Sequence, residues 1–144
     1  SGICLYLDLD MIILKNIDEF IINNQCLNIL CNPVFFNNKN YYKINSSMMS
    51  WNADDKEFNK IWFQYSENKL FYDTHKPSIN EIYGDQEVII ESNVKYKFFP
   101  THKIRYFKFI ENKNALDPNI SIIVCKGKKQ KDHKSNFFIR NYWK

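Results

Sequence analysis

Ile3-Cys4-Leu5-Tyr6-Leu7-Asp8-Leu9-Asp10-Met11-Ile12-Ile13-Leu14 is an apolar run with two aspartates, one residue apart, near its middle. Apolar residues on both sides of the pair predict a strand buried on both faces. A carboxylate without a partner is costly inside such a strand. The run is therefore expected to be a strand ending at Leu7, with Asp8 and Asp10 at its carboxyl end. Open α/β sheets bind ligands there. In an extended segment, residues i and i+2 point to one side. Two hard carboxylates on one side suit a divalent cation that prefers oxygen ligands, Mg²⁺ or Mn²⁺. The plain alternative is that two aspartates at this spacing arise by chance.

The rest of the composition bounds the possibilities. A chain of 144 residues is expected to form one domain. With 44% hydrophobic and 17% aromatic residues the composition is that of a globular chain, not a disordered one. A net charge of +4 is too mild to mark a nucleic-acid surface, so no nucleic-acid partner is expected. No apolar run reaches the roughly 18 residues of a membrane helix. Asp8, Asp10, Asp18 and Glu19 fill the first twenty residues with acid, which argues against a secretory leader. Cys4, Cys26, Cys31 and Cys125 lack zinc spacing. Cys4 and Cys125 read as buried small hydrophobes, and a reduced, cytoplasmic setting is expected.

Outward from the aspartates, Lys15 to Phe20 reads as a turn into a short helical segment with Ile17, Phe20 and Ile21 as its apolar face. Asp18 and Glu19 would sit in its first turn in structural roles. Cys26–Cys31 reads as a strand stopped at Asn32-Pro33, and Phe35–Tyr42 as a polar loop with aromatic ends. Lys43–Trp51 reads as a further strand. Its Asn45-Ser46-Ser47 could let a sugar or phosphate approach, or could be a polar strand entry.

Asp54 and Glu57 have capping-box spacing at the start of a helix that frays near Asn68. Phe58, Ile61, Trp62 and Tyr65 follow at i, i+3, i+4 and i+7, a stripe expected in the core. Phe71–Tyr83 reads as irregular. Asp85 either caps a short helix burying Val88 and Ile89 or presents its carboxylate to a ligand. Lys95–Phe109 suggests two short strands on one sheet around Pro100, with His102 at the surface. Ile120–Cys125 is a β-branched strand that runs into the most basic stretch, Lys126–Lys134. A glycine among lysines there, Lys126-Gly127-Lys128, could cradle a diphosphate or be a solvated loop. Phe137, Phe138, Ile139, Tyr142 and Trp143 read as a tail or helix packed back on the domain.

In order, these segments resemble the small nucleotide-sugar glycosyltransferases of the GT-A type. The resemblance rests on YLDLDMIILKNIDEF (6–20), NSSMMSWN (45–52), GDQEVI (84–89), SIIVCKGKKQ (121–130) and the closing YWK (142–144), and it spans nearly the whole chain. It implies an α/β fold, a mixed and mostly parallel sheet flanked by helices. It also implies that the N-terminal βα units contacting the nucleotide base are missing, so that residues 1–144 are a single domain forming the C-terminal part of a longer one.

The implied activity is transfer of a sugar from a nucleotide-diphosphate sugar to a glycan, lipid or protein acceptor, with Mn²⁺ or Mg²⁺. Asp8 and Asp10 would hold the metal that bridges the donor phosphates. Asn45 and Ser46 would line the donor sugar, and Lys126, Gly127 and Lys128 the diphosphate. Asp85 and Gln86 would lie near sugar or acceptor, with Asp85 the catalytic or acceptor-binding carboxylate. Related enzymes carry a histidine as a further metal ligand near the late glycine, where this chain has Val124, Cys125 and Lys126; His133 is a substitute candidate.

Two alternatives fit parts of the pattern. A haloacid-dehalogenase-type phosphatase also follows a buried strand with Asp-x-Asp, and would make Asp8 the nucleophile and Gly84-Asp85 a later Mg²⁺ site. A non-catalytic remnant would keep the fold without the activity.

Overall fold

A computed structural model describes residues 2–22, 25–32, 44–74, 84–107, 110 and 116–125. They form an α/β protein of mixed sheets and helices, in two compact units. The first unit comprises Ser1–Tyr6 and Ile21–Phe99, the second Leu7–Phe20 and Pro100–Lys144. The chain thus passes between units after Tyr6, Phe20 and Phe99.

The first unit is built on a four-stranded sheet. Its strands are β1 (Ile3–Leu7, whose last residue belongs to the second unit), β3 (Leu27–Cys31), β4 (Ile44–Asn52) and β5 (Tyr96–Phe98), in the order β1-β4-β3-β5. β3 and β4 are antiparallel, β3 and β5 parallel. Leu27, Ile29 and Ile44 pack with Ile89 and Val94 in the core. β1 ends at Leu7, as the aspartates require. It lies at an edge of this sheet and its residues are only partly buried, with Tyr6 exposed, so the expected burial on both faces is not met.

The pairing of β3 with β4 has a break. Ile29 faces Met49, whereas Leu30 faces Asn45. Ser46, Ser47 and Met48 are therefore extra residues on β4, a bulge that breaks the ladder. Asn45 stabilises it locally, because its Oδ1 accepts the Ser47 N–H at 2.8 Å.

Three helices accompany this sheet: α1 (Asn59–Glu67), α2 (Lys69–Thr74) and α3 (Asp85–Glu91). The entry to α1 is made by two Asx turns. Asn52 Oδ1 accepts the Asp54 N–H and Asp55 Oδ1 accepts the Glu57 N–H, both at 2.9 Å. The expected Asp54–Glu57 capping box does not form; helix geometry starts a turn later, with Phe58 at the cap. α2 occupies a stretch expected to be irregular. Its i,i+4 pair of Lys69 with Asp73, and Thr74 Oγ1 donating to the Leu70 carbonyl at 2.6 Å, support helix where hydrophobic periodicity is weak.

Gly84, not Asp85, caps α3, and Asp85 is its first helical residue. Gly84 has φ +81 and ψ −140, a conformation that nearly only glycine adopts, and a Cβ there would meet nothing within 4 Å. Gly84→Ala should therefore destabilise through backbone strain alone, by roughly 1–3 kcal/mol. Urea unfolding of the single variant checks this, and wild-type stability would refute it. Val88 and Ile89 are buried, as expected.

The second unit is built on a three-stranded sheet in the order β2-β7-β6, with β2 (Met11–Ile13), β6 (Ile104–Tyr106) and β7 (Ile122–Val124). β2 runs antiparallel to β7, and β6 parallel to it. β7 is central and β-branched, buried at every residue. Ile12, Phe107, Ile120, Ile123 and Cys125 form the core. Phe20, in a 3₁₀ turn over Asp18–Phe20, is fully buried, whereas Ile21 is exposed. Asp18 and Glu19 serve structure: Asp18 Oδ2 accepts from Asn16 Nδ2 at 2.9 Å, and Glu19 Oε2 accepts from Lys103 Nζ at 2.5 Å.

Two expectations are corrected. A mostly parallel sheet is replaced by two mixed sheets, because β3–β4 and β2–β7 are antiparallel. Antiparallel pairs are compatible with short reversals, whereas parallel pairs need a crossover. The aromatic strands around Pro100 do form, but β5 and β6 belong to different sheets. Phe35–Tyr42, Lys126–Lys134 and the aromatic tail lie outside the described residues.

Candidate functional site

The two aspartates lie in the second unit, in a turn between β1 and β2. The Met11 N–H reaches the Asp8 carbonyl at 3.3 Å and closes the turn. Leu9, between them, is 92% exposed. The pair is therefore not extended, and strand alternation does not set the direction of its carboxylates. Aspartate favours turns, where its side chain competes for backbone hydrogen bonds, and disfavours strand interiors. Both aspartates are half-buried, and Oδ1 of Asp10 is shielded from solvent.

The turn is anchored to the late strand. The Cys125 N–H donates to the Asp10 carbonyl at 2.8 Å, extending the β2–β7 register of Met11 opposite Val124. The D-x-D turn and the end of β7 are thus assembled side by side in one unit. Cys125 is fully buried and Val124 nearly so. Lys126, Gly127, Lys128 and His133 lie outside the described residues.

Among the described residues, no three His, Cys, Asp or Glu side chains are grouped to hold a metal. Asp8 and Asp10 offer two hard carboxylates. That donor set fits Mg²⁺ or Mn²⁺ shared with substrate phosphates and water, and does not fit a closed, all-protein cage.

The other expected site residues lie in the first unit. Asn45 and Ser46 are buried, 1% and 4% exposed, at the β4 bulge. Asp85 is exposed at the first position of α3, where its Oδ1 accepts the Gln86 N–H at 3.0 Å; Gln86 is half-buried.

Asp85 also lines a groove of about 410 Å³ in that unit. Its walls include Phe58, Trp62 and Tyr65 of α1, Tyr72 of α2 and Val88 of α3. Phe58 and Ile61 of the α1 stripe pack against the core, as expected. Trp62 does not: it is 66% exposed and borders the groove, which corrects its placement in the core. Sequence reading missed this groove. Its signal was the bulk of the stripe's later members, an indole and a phenol side by side where a core stripe commonly carries aliphatics.

A hydrogen-bond cluster ties the groove's helices together. Gln64 Nε2 donates to Tyr72 Oη at 2.9 Å and to Glu91 Oε2 at 3.3 Å, and the Tyr72 hydroxyl donates to Glu91. Tyr65 Oη donates to Asp73 Oδ1 at 3.1 Å, and Lys69 pairs with Asp73 while lying 5.5 Å from the Tyr65 ring centre. Burial, and then the Glu91 carboxylate, raise the Tyr72 pKa above its ordinary 10.0.

A raised folded pKa means that the folded state holds the proton more tightly. The stability this confers is complete below the unfolded pKa and is lost as pH rises above about 10 through the folded value. Wild type should lose stability more steeply than Tyr72→Phe between pH 9 and 11 in urea unfolding. Equal slopes would contradict this.

The chain matches no family model, no curated protein and no solved structure. Its function is accordingly argued from its own residues. Among the described residues, no helix is long and apolar enough to cross a membrane.

Proposed function

We propose that this chain belongs to an enzyme that transfers a sugar from a nucleotide-diphosphate donor to an acceptor hydroxyl, using a divalent cation at Asp8 and Asp10. The observation that carries this reading is the 2.8 Å hydrogen bond from the Cys125 N–H to the Asp10 carbonyl. It supports the reading because two of the stretches that carry the resemblance, the D-x-D turn and the late strand, lie side by side.

In this reading a bound Mn²⁺ or Mg²⁺ supplies positive charge against the departing diphosphate. Asp8 and Asp10 hold and orient that charge. Lys126 and Lys128, with the Gly127 backbone, add cationic and N–H contacts to the phosphates. The acceptor oxygen forms a bond to the anomeric carbon as the bond from that carbon to the phosphate oxygen breaks. A general base accepts the acceptor's proton, and the nucleoside diphosphate leaves.

The test is a thermal-shift panel of nucleoside diphosphates with and without Mn²⁺, on the longest form of the protein that expresses. A ligand at about 100 times its Kd stabilises by close to 3 kcal/mol. A metal-dependent shift with one or more bases is expected. No shift with any base, together with a beryllium-fluoride adduct at Asp8, would replace this reading with a phosphatase.

A further inference from the structure

We propose that the groove between α1, α2 and α3 binds a small molecule by its apolar body, alkyl or aryl, with a head-group hydroxyl directed at Asp85. The groove's chemistry selects that class. Its faces are rings and branched aliphatics, with Phe58, Trp62 and Val88 among them. Its polar side chains are mostly committed already. Asp73 is held by Lys69 and by the Tyr65 hydroxyl, and the Tyr72 hydroxyl is held between Gln64 and Glu91.

Among the described residues, Asp85 is the carboxylate in the groove wall that no neighbouring side chain engages. A bare sugar presents a hydroxyl at nearly every carbon and would leave most of them unpaired in such a groove, at a cost for each. A ligand whose apolar body fills the groove while its hydroxyl-bearing head lies outside, with one hydroxyl directed at Asp85, leaves none of them unpaired inside it. About 410 Å³ is within the range of small-molecule sites and exceeds what a single hydroxyl group fills. Trp62 gives the apolar body a ring face that is 66% exposed in the free protein and available to be covered.

Binding to the groove is independent of the transferase reading and is measured without any nucleotide donor. Isothermal titration calorimetry would compare methyl, phenyl and octyl β-D-glucopyranosides, the last below its micelle concentration. The head group is constant and only the apolar body changes. The octyl or the phenyl compound should bind at least about tenfold more tightly than the methyl compound, and the tighter of the two assigns the alkyl or aryl class.

Trp62→Ala should weaken that binding at least about fivefold. Leu70→Ser removes a leucine that is 78% exposed on α2 outside the groove, and it should change binding by less than about twofold. Equal affinity for all three glucosides would overturn the proposal. So would equal effects of the two substitutions, which mark unspecific adsorption of an amphiphile. Glucoside binding without any nucleoside-diphosphate shift leaves the groove standing and removes the transferase reading; the reverse pattern removes the groove alone.

Discussion

Asp10→Ala should abolish the Mn²⁺-dependent stabilisation by a nucleoside diphosphate and lower sugar transfer by about 10²–10³-fold or more. The rate effect corresponds to roughly 3–4 kcal/mol of lost transition-state stabilisation. It is expected to be large because only two carboxylates are available from the described part of the site, and no third His, Cys, Asp or Glu joins them among the described residues. A cation held by two protein ligands loses half of its protein coordination with either one. The fold should survive, since the anchoring bond from Cys125 is made to the backbone carbonyl of residue 10 and not to its side chain. Asp18→Ala is the matched control: an exposed aspartate of the same unit whose carboxylate accepts from Asn16. Nucleotide thermal shifts and turnover of the two variants, side by side, decide the matter. An Asp10→Ala protein that keeps its metal-dependent shift would exclude the aspartate pair as the metal site.

The second large effect is on stability. Ile123→Ala should destabilise by about 2–5 kcal/mol, a fall of roughly 5–15 °C in Tm for a chain of this size. Ile123 is fully buried on the central strand, opposite Ile12, and packs with Phe107, Ile120 and Cys125. Truncation removes the transfer free energy of the deleted methylenes and leaves a cavity that neighbours on a central strand cannot readily fill. Ile123→Val, one methylene smaller, should cost about 0.5–1.5 kcal/mol. Ile13→Ala on the adjoining strand is the contrast. Ile13 is 49% exposed, and its truncation should stay within about 0.5 kcal/mol of wild type. Thermal or urea unfolding of all three gives the order, and an inverted order would mean that β7 is not the buried centre of its sheet.

How far the sequence could be read depended on whether local and long-range chemistry agreed. β7 was legible because Ile122, Ile123 and Val124 are β-branched and apolar on both faces, which suits a central strand. The end of β1 at Leu7 was legible because two aspartates cannot continue a strand of this kind. The turn that follows was not. Periodicity of two is satisfied equally by an extended strand and by a tight turn, and the Met11–Asp8 bond that separates them is a backbone feature.

The division of the aromatic strands between two sheets was illegible for a similar reason. Tyr96–Phe98 and Ile104–Tyr106 read alike, and their partners, β3 and β7, lie far away in the chain. Trp62 misled because the same helical stripe serves a core for its first turn and an open groove for its second. At the site, Asp85 was recognised as either a cap or a ligand-facing carboxylate. Gly84 takes the cap, through a positive φ that only the structure reveals.

Chain order carries a consequence for synthesis. Ile12 emerges among the first residues of this sequence, yet its pairing partner is Ile123. Closing so long a loop is entropically slow and precedes any gain from the pairing. On the ribosome, the strand that follows the aspartates waits without its neighbour while the segment from Ile21 to Phe99 is made and can fold into its own unit. The D-x-D turn therefore acquires its native backbone support only after Ile122–Cys125 is made. A nascent chain arrested before Ile122 would hold a formed groove but an unanchored aspartate pair.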